Sequence, residues 1–266
     1  MLTESEREHI DQHVQQWIRQ IAHALPTLMT HMKTETKLNR FDLVTNVDRT
    51  VEARFAQFLQ MHYPTHQLYG EEAHHETAHL KTGHTWLIDP IDGTANLVKQ
   101  HDDFCMIIAY FVQGIPQLSY IFDYTRQKLY RAVKGKGAFV NDTMLEPIVR
   151  TPLKEKIISF NNRVMNTRTV QDLLDASFAY RLIGACGLDS ARVITGQFGA
   201  HIHTNAKPWD IAAQFLFAEV LGLKMTDFHQ QPIDFTRGGP FIISNPGCYE
   251  EILSILLSNG GYQKEC

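Results

Sequence analysis

The sequence predicts an α/β fold with α+β character, in which layers of helix and sheet pack as two lobes around one cleft. Three observations carry that expectation. The chain opens with two segments of helical apolar period, the stretch 84–140 is rich in Ile, Val, Phe and Tyr, and beyond about residue 150 strand-like and helix-like segments alternate. Such alternation implies helices layered on sheets. Of the 266 residues, 44% are hydrophobic and 20% charged, an ordinary globular balance with enough apolar chain for a large core.

In residues 5–25 the apolar positions Ile10, Val14, Trp17, Ile18, Ile21 and Leu25 recur at helical spacing and predict one buried face. Residues 46–61 repeat the pattern with Val47, Val51, Phe55, Phe58 and Leu59, and Thr45 and Asp48 stand ahead of it at capping-box spacing. Strands are expected at 84–88, 104–111, 115–122 and 128–133, an antiparallel meander turning at 114–116 and 123–125. After 150 come a strand at 156–160, a helix at 167–176, a strand at 178–182 and a helix at 188–195. A strand at 201–203, a helix at 208–221 ended by Gly222, strands at 223–227 and 241–244 and a last helix at 246–258 complete the chain.

Charge and cysteine content narrow the function. The net charge of −4 leaves no basic field for nucleic acid or an anionic membrane, so an anionic substrate must be met by local positive charge. No apolar run approaches the roughly 18 residues of a spanning helix. The acidic start (Glu4, Glu6, Glu8) is unlike a secretory signal. Cys105, Cys186, Cys248 and Cys266 are scattered with no C-x-x-C spacing, which reads as reduced thiols in a cytoplasmic protein. His74, His75, His79 and His84 share one polar stretch, read as a solvated loop near an active-site entrance rather than a metal site.

The chemistry concentrates in Trp86-Leu87-Ile88-Asp89-Pro90-Ile91-Asp92-Gly93-Thr94. An apolar strand runs into two carboxylates three residues apart, Pro90 stiffens the backbone between them, and Gly93 permits a sharp turn. Asp89 and Asp92 can converge on one point, and paired hard oxygen ligands suit Mg²⁺. Alone, D-x-x-D reads more simply as a turn whose aspartates bond backbone N–H groups. Three further segments shift the balance: Gly70-Glu71-Glu72, Asp42-Leu43-Val44-Thr45-Asn46-Val47-Asp48, and Lys207-Pro208-Trp209-Asp210 at a helix start. Carboxylates gathered at one point repel one another without cations, so their clustering points to metals.

In these motifs the chain resembles the inositol monophosphatase family of lithium-sensitive, metal-dependent phosphatases. The matching residues are D-L-V-T-x-x-D at 42–48, G-E-E at 70–72, W-L-I-D-P-I-D-G-T-x-N at 86–96, G-K-G-A-F at 135–139, P-W-D at 208–210 and G-G-P-F at 238–241. The resemblance implies an α-β-α-β-α sandwich like that of fructose-1,6-bisphosphatase, usually dimeric. One lobe, 1–147, would carry most metal ligands, and the other, 148–266, would carry Asp210 and substrate contacts. It further implies two or three Mg²⁺ held by Glu71, Asp89, the Ile91 carbonyl, Asp92 and Asp210. Asp48 would hold a further metal's water shell, and Thr94 with Glu71 would orient the attacking water. The amides of Gly93 and Thr94 would cradle the phosphate, with Asp92, Gly184, Ala185, His203 and Asp210 also meeting the substrate.

The chain departs from the family pattern at two places. His203 stands where an acidic residue often lies seven positions before the last metal aspartate, and Gly184-Ala185-Cys186-Gly187 stands where G-[ST]-A-A is usual. Both touch substrate contacts rather than metal ligands, and with Lys207 they make that wall less acidic. The expected activity is therefore Mg²⁺-dependent hydrolysis of inositol monophosphate or a related small metabolite by direct attack of water. A more anionic substrate is the alternative: fructose 1,6-bisphosphate, a 3′-phosphoadenosine nucleotide or the 2′-phosphate of NADP. A non-catalytic phosphate-binding scaffold is disfavoured because every metal carboxylate and Thr94 are retained.

Overall fold

The computed structural model describes residues 2–37, 43–73, 80–258 and 261–263. Helix α1 (Glu4–Met29) begins at Thr3, where the hydroxyl accepts from Glu6 N and the Glu6 carboxylate takes the Thr3 N–H. Its predicted stripe from Ile10 to Leu25 is buried. Strands β1 (Thr34–Thr36) and β2 (Leu43–Thr45) pair antiparallel, a feature no sequence signal announced. β2 runs straight into α2 (Asn46–His62), capped by Thr45 and Asp48 at the expected spacing.

β3 (Gln67–Gly70), β4 (His84–Asp92), β5 (Cys105–Val112), β6 (Ile115–Asp123), β7 (Lys128–Val133), β8 (Gly137–Val140) and β9 (Thr143–Met144) form a sheet in sequence order. The meander is antiparallel as expected, and β3 alone runs parallel to its neighbour. β4 continues to Asp92 instead of stopping near Ile88, and the short helix α3 (Thr94–Gln100) follows it.

The second sheet holds β10 (Ile157–Phe160), β11 (Ala179–Tyr180), β12 (Phe198–Ala206), β13 (Lys224–Thr226) and β14 (Gly239–Ser244), in the spatial order β11-β10-β12-β14-β13. Its helices are α4 (Thr167–Ala176), α5 (Cys186–Ile194), α6 (Pro208–Leu221) and α7 (Tyr249–Leu257). α7 starts three residues later than expected because the Asn245 carboxamide accepts Gly247 N at 2.8 Å and turns the chain first.

Side-chain alternation along the strands sorts the interior into three layers. Trp86, Ile88, Ile108 and Tyr110 face α1 and α2. Leu87, Ile107 and Ala109 face the opposite way, onto α5 and α6, which also cover Phe241 and Ile243 of the second sheet. Ile158, Ile202 and Ile242 back that sheet onto α4 and α7. The result is the implied α-β-α-β-α sandwich. α6 lies in the middle with Ile211, Ala212, Ala213, Leu216 and Phe217 all fully buried, as an all-round apolar helix requires. No described helix is long and apolar enough to cross a membrane. This layering gathers the ends of β3 and β4 and the first turns of α2, α3 and α6.

Candidate active site

Across β4 and β5, Asp89 pairs with Ile107 and Asp92 with Cys105, three residues against two. The extra residue makes a bulge, and Pro90 sits in it with no N–H to leave unpaired. The Ile91 N–H donates back to Asp89 Oδ1 at 3.0 Å. Gly93 turns the chain at φ +88°, where a Cβ would lie 2.9 Å from that of Ala185, so glycine is required on both counts.

The turn delivers Thr94 beneath α2. Its hydroxyl stands 3.0 Å from Asp48 Oδ1 and 2.9 Å from the Ile91 carbonyl. Asp48 Oδ2 takes the Thr45 N–H at 3.0 Å and the Thr45 hydroxyl, so one carboxylate both caps α2 and holds Thr94. Burial pushes the Asp48 acid up, and the hydroxyls of Thr45 and Thr94 pull it back.

Glu71 follows Gly70 at the end of β3. Tyr69, just before it, meets Trp209 edge to face at 5.5 Å and so brings the start of α6 alongside. There Asp210 Oδ2 takes the Lys207 N–H at 2.7 Å, at the third position of the helix. Lys37 Nζ lies 3.0 Å from Glu71 Oε1 and 2.7 Å from Glu72 Oε1. Burial works against the Lys37 charge, but Glu71 and Glu72 outweigh it and raise its pKa.

The acids act on one another. Burial, then Glu71, Asp92 and Asp210, push Asp89 well above the usual carboxylate range. Asp210 is driven up by burial and then by Asp92 and Glu71. Burial likewise raises Glu71, opposed by Lys37, and Glu71 shares a hydrogen bond with Asp89. Burial raises Asp92 to about 6 against three donors that pull it down: Cys186 N at 3.1 Å, Gly187 N at 2.6 Å and Cys105 Sγ at 3.2 Å. Among the described residues no three such side chains close around a point ready for a metal, because each is turned to the donors just named. The donor chemistry nevertheless fits a hard divalent cation: all-oxygen ligands, desolvated and mutually repelling, are stabilised by added positive charge.

The loop before α5 forms the facing wall. Asp189 takes the N–H groups of Ile183 and Gly184 at 3.1 and 3.0 Å, and Asn96 Nδ2 donates to the carbonyls of Ile183 and Asp103 at 3.0 and 2.8 Å. Gly184 and Ala185 are thereby fixed between Asp92 and Asp189. His203 is placed differently. It lies on β12, accepts Asn205 N at Nδ1 (3.2 Å), meets Asn161 Nδ2 at Nε2 (3.3 Å) and stacks on Phe241. Burial and then His201 pull its pKa down to about 3, so it is a neutral imidazole at ordinary pH. Lys207, by contrast, acts on Asp210 directly. Asp42, His74, His75, His79 and Cys266 lie outside the described residues. His84 belongs to β4, where it stacks on His66 at 4.4 Å instead of lying in a solvated loop.

Sequence reasoning missed several contributors. Lys37 carried no signal, since its partners are more than thirty residues away. Glu52 could have been found, because it stands one helical turn after Asp48 on the same face of α2. Cys105, Asn96 and Asp189 act through side-chain bonds that only the packed layers create.

The fold and this carboxylate site define a metal-dependent phosphatase. The chain belongs to the inositol monophosphatase family, whose model matches residues 6–259. It is 32% identical over 250 residues to the inositol-1-monophosphatase of Bacillus subtilis strain 168, covering 91% of this chain and 94% of that one. Among solved structures it is similar to an IMPase/NADP phosphatase complexed with NADP and Ca²⁺ at pH 7.0, with a TM-score of 0.96, 56% identity and coverage of 98% and 100%. A structure of an IMPase/NADP phosphatase complexed with Mg²⁺ and phosphate aligns with a TM-score of 0.95 at 56% identity, over 98% of this chain and 99% of that one.

Proposed function

We propose that this protein hydrolyses inositol monophosphate and related small phosphate esters with Mg²⁺ as cofactor. The observation that carries the reading is the gathering of Asp89, Asp92, Asp210 and Glu71, in which burial raises every acid and Glu71, Asp92 and Asp210 raise Asp89 further. Together with the Ile91 carbonyl these are the proposed metal ligands. Bound Mg²⁺ supplies positive charge that offsets the phosphate dianion, lowers the pKa of water and stabilises the leaving oxygen. The chain's own residues do the rest. Asp48 and the Ile91 carbonyl take up the Thr94 hydroxyl hydrogen, which leaves the Thr94 oxygen to accept from a water and aim its lone pair at phosphorus. Glu71, raised by burial, is the acceptor for that water's second proton. Gly93 and Thr94 with Gly184 and Ala185 would border the phosphate and its alcohol.

A second substrate is supported by a specific observation. The IMPase/NADP phosphatase with NADP bound is 56% identical, and this chain has a neutral His203 at the position where an acid would repel further phosphate, with Lys207 beside Asp210. The 2′-phosphate of NADP is therefore included in the reading. The protein acts as a homodimer in the cytoplasm under this proposal; Cys105, Cys186 and Cys248 as buried free thiols suit a reducing compartment. The test is a panel of inositol phosphate, NADP, fructose 1,6-bisphosphate and a 3′-phosphoadenosine nucleotide assayed with EDTA and with millimolar Mg²⁺. Hydrolysis of the first two, abolished by EDTA and restored by Mg²⁺, is expected. Undiminished turnover after thorough chelation would overturn it.

A further inference from the structure

Glu52 is a buried carboxylate, 1% exposed, with no part in the chemistry so far. It lies one turn beyond Asp48 on α2, pointing beneath the chain that leaves β3. Its Oε2 takes the main-chain N–H of Glu72 at 2.7 Å and its Oε1 that of Ala73 at 2.8 Å. The approach is so close that a Cβ on Gly70 would lie 2.5 Å from the carboxyl carbon. A Cβ at position 70 would therefore displace the Glu52 carboxylate, although Gly70 needs no unusual backbone angle. Charge-assisted bonds of this kind are about twice as strong as neutral ones, and a buried carboxylate that lost either would be left undersatisfied. The two bonds fix the peptide planes on either side of Glu72. The first of these is the plane that follows Glu71, so it sets the direction in which the Glu71 side chain leaves the backbone.

We propose that Glu52 is a positioning residue: it clamps the chain after Gly70 so that Glu71 is presented to the metal site in one orientation. This rests on the reading of Glu71 as a metal ligand. α2 then organises the site through two carboxylates a turn apart, Asp48 holding Thr94 and Glu52 holding the Glu71 segment. The clamp has a steric signature that a general negative charge lacks. Gly70→Ala leaves every charge in place but displaces the carboxylate, while Glu52→Gln keeps the shape and turns an amide NH₂ toward a main-chain N–H.

The test compares Glu52→Gln, Gly70→Ala and Glu71→Gln with the parent enzyme by calorimetric titration of Mg²⁺ and by steady-state kinetics across Mg²⁺ concentration. Glu52→Gln and Gly70→Ala should each weaken Mg²⁺ binding about tenfold and lower kcat at saturating Mg²⁺, with KM for inositol phosphate little changed. Glu52→Gln added to Glu71→Gln should weaken Mg²⁺ binding no further. Circular dichroism confirms that each variant is folded; if Glu52→Gln does not fold, Gly70→Ala decides. Unchanged Mg²⁺ binding in the clamp variants, with Glu71→Gln impaired, would overturn the proposal while leaving Glu71 a ligand. Unchanged binding in Glu71→Gln would instead overturn the reading beneath it.

Discussion

The Gly187 N–H donates to Asp92 Oδ2 at 2.6 Å, joining the end of β4 to the first turn of α5 across 95 residues of sequence. The Cys186 N–H donates to the other oxygen, Oδ1, so both Asp92 oxygens are acceptors. Asp89, by contrast, accepts one backbone N–H, from Ile91. The two aspartates of the D-x-x-D motif should therefore separate when neutralised. Asp92→Asn sets an NH₂ against a main-chain N–H and should cost about 1–3 kcal/mol of stability in EDTA, besides lowering kcat by orders of magnitude. Asp89→Asn keeps its acceptor and relieves repulsion, so it should lower kcat as far but leave EDTA-treated protein as stable or more stable. Urea unfolding at pH 7 measures both; equal destabilisation would mean that Asp89 too is a structural turn residue.

Thr94 provides a test of the water-orienting role. Thr94→Val removes the hydroxyl held by Asp48 and Ile91 while preserving shape, and should reduce kcat about 10²–10⁴-fold. Thr94→Ser should recover most of the loss, and Mg²⁺ binding by calorimetry should stay close to that of the parent. A valine variant with near-normal kcat would remove Thr94 from the reaction.

Substrate choice can be probed at His203. Because the imidazole is neutral and tied to Asn161 and Asn205, His203→Glu adds a full negative charge to the wall. The ratio of kcat/KM for inositol phosphate over NADP should rise about tenfold, equivalent to roughly 1.4 kcal/mol of differential transition-state binding. Parallel changes on both substrates would make His203 a scaffold residue and shift attention to the 184–187 loop.

Two desolvated histidines should withdraw stability in mild acid, opposite in sign to the raised acids of the site. Burial, then His84, pulls His66 down to about 4, and burial pulls His201 down to about 3. Their unfolded values are near 6.5. At these two sites the unfolded chain binds more protons between those limits, so their contribution to stability is complete above about 6.5 and declines as pH falls toward 4. His66 Nδ1 accepts the Trp86 indole N–H at 3.0 Å, which requires the neutral ring. His66→Gln keeps an acceptor without the titration and should flatten the dependence of the urea midpoint on pH between 7 and 4.5. An unchanged slope would show that His66 does not contribute.

Local signals made much of this protein readable before any packing was considered. The α1 and α2 stripes follow from period alone, because one face must be buried. The Thr45–Asp48 box, the Pro208 start and the Gly222 stop of α6 are interactions between residues within a few positions of each other. The order of acids, from Asp48 through Glu71, Asp89 and Asp92 to Asp210, identified the family, since such motifs are carried by residue type and spacing. Tertiary structure decided everything that depends on distance between layers. It brought Tyr69 against Trp209 and so Glu71 toward Asp210, gave Asp92 its partners in α5, and placed Lys37 against Glu71. It also made His203 a neutral strand histidine rather than a cation, because desolvation is a property of the folded surroundings and not of the residue. Side-chain chemistry is written along the chain; which groups share a cavity, and at what charge, is settled only when sheets and helices close on one another.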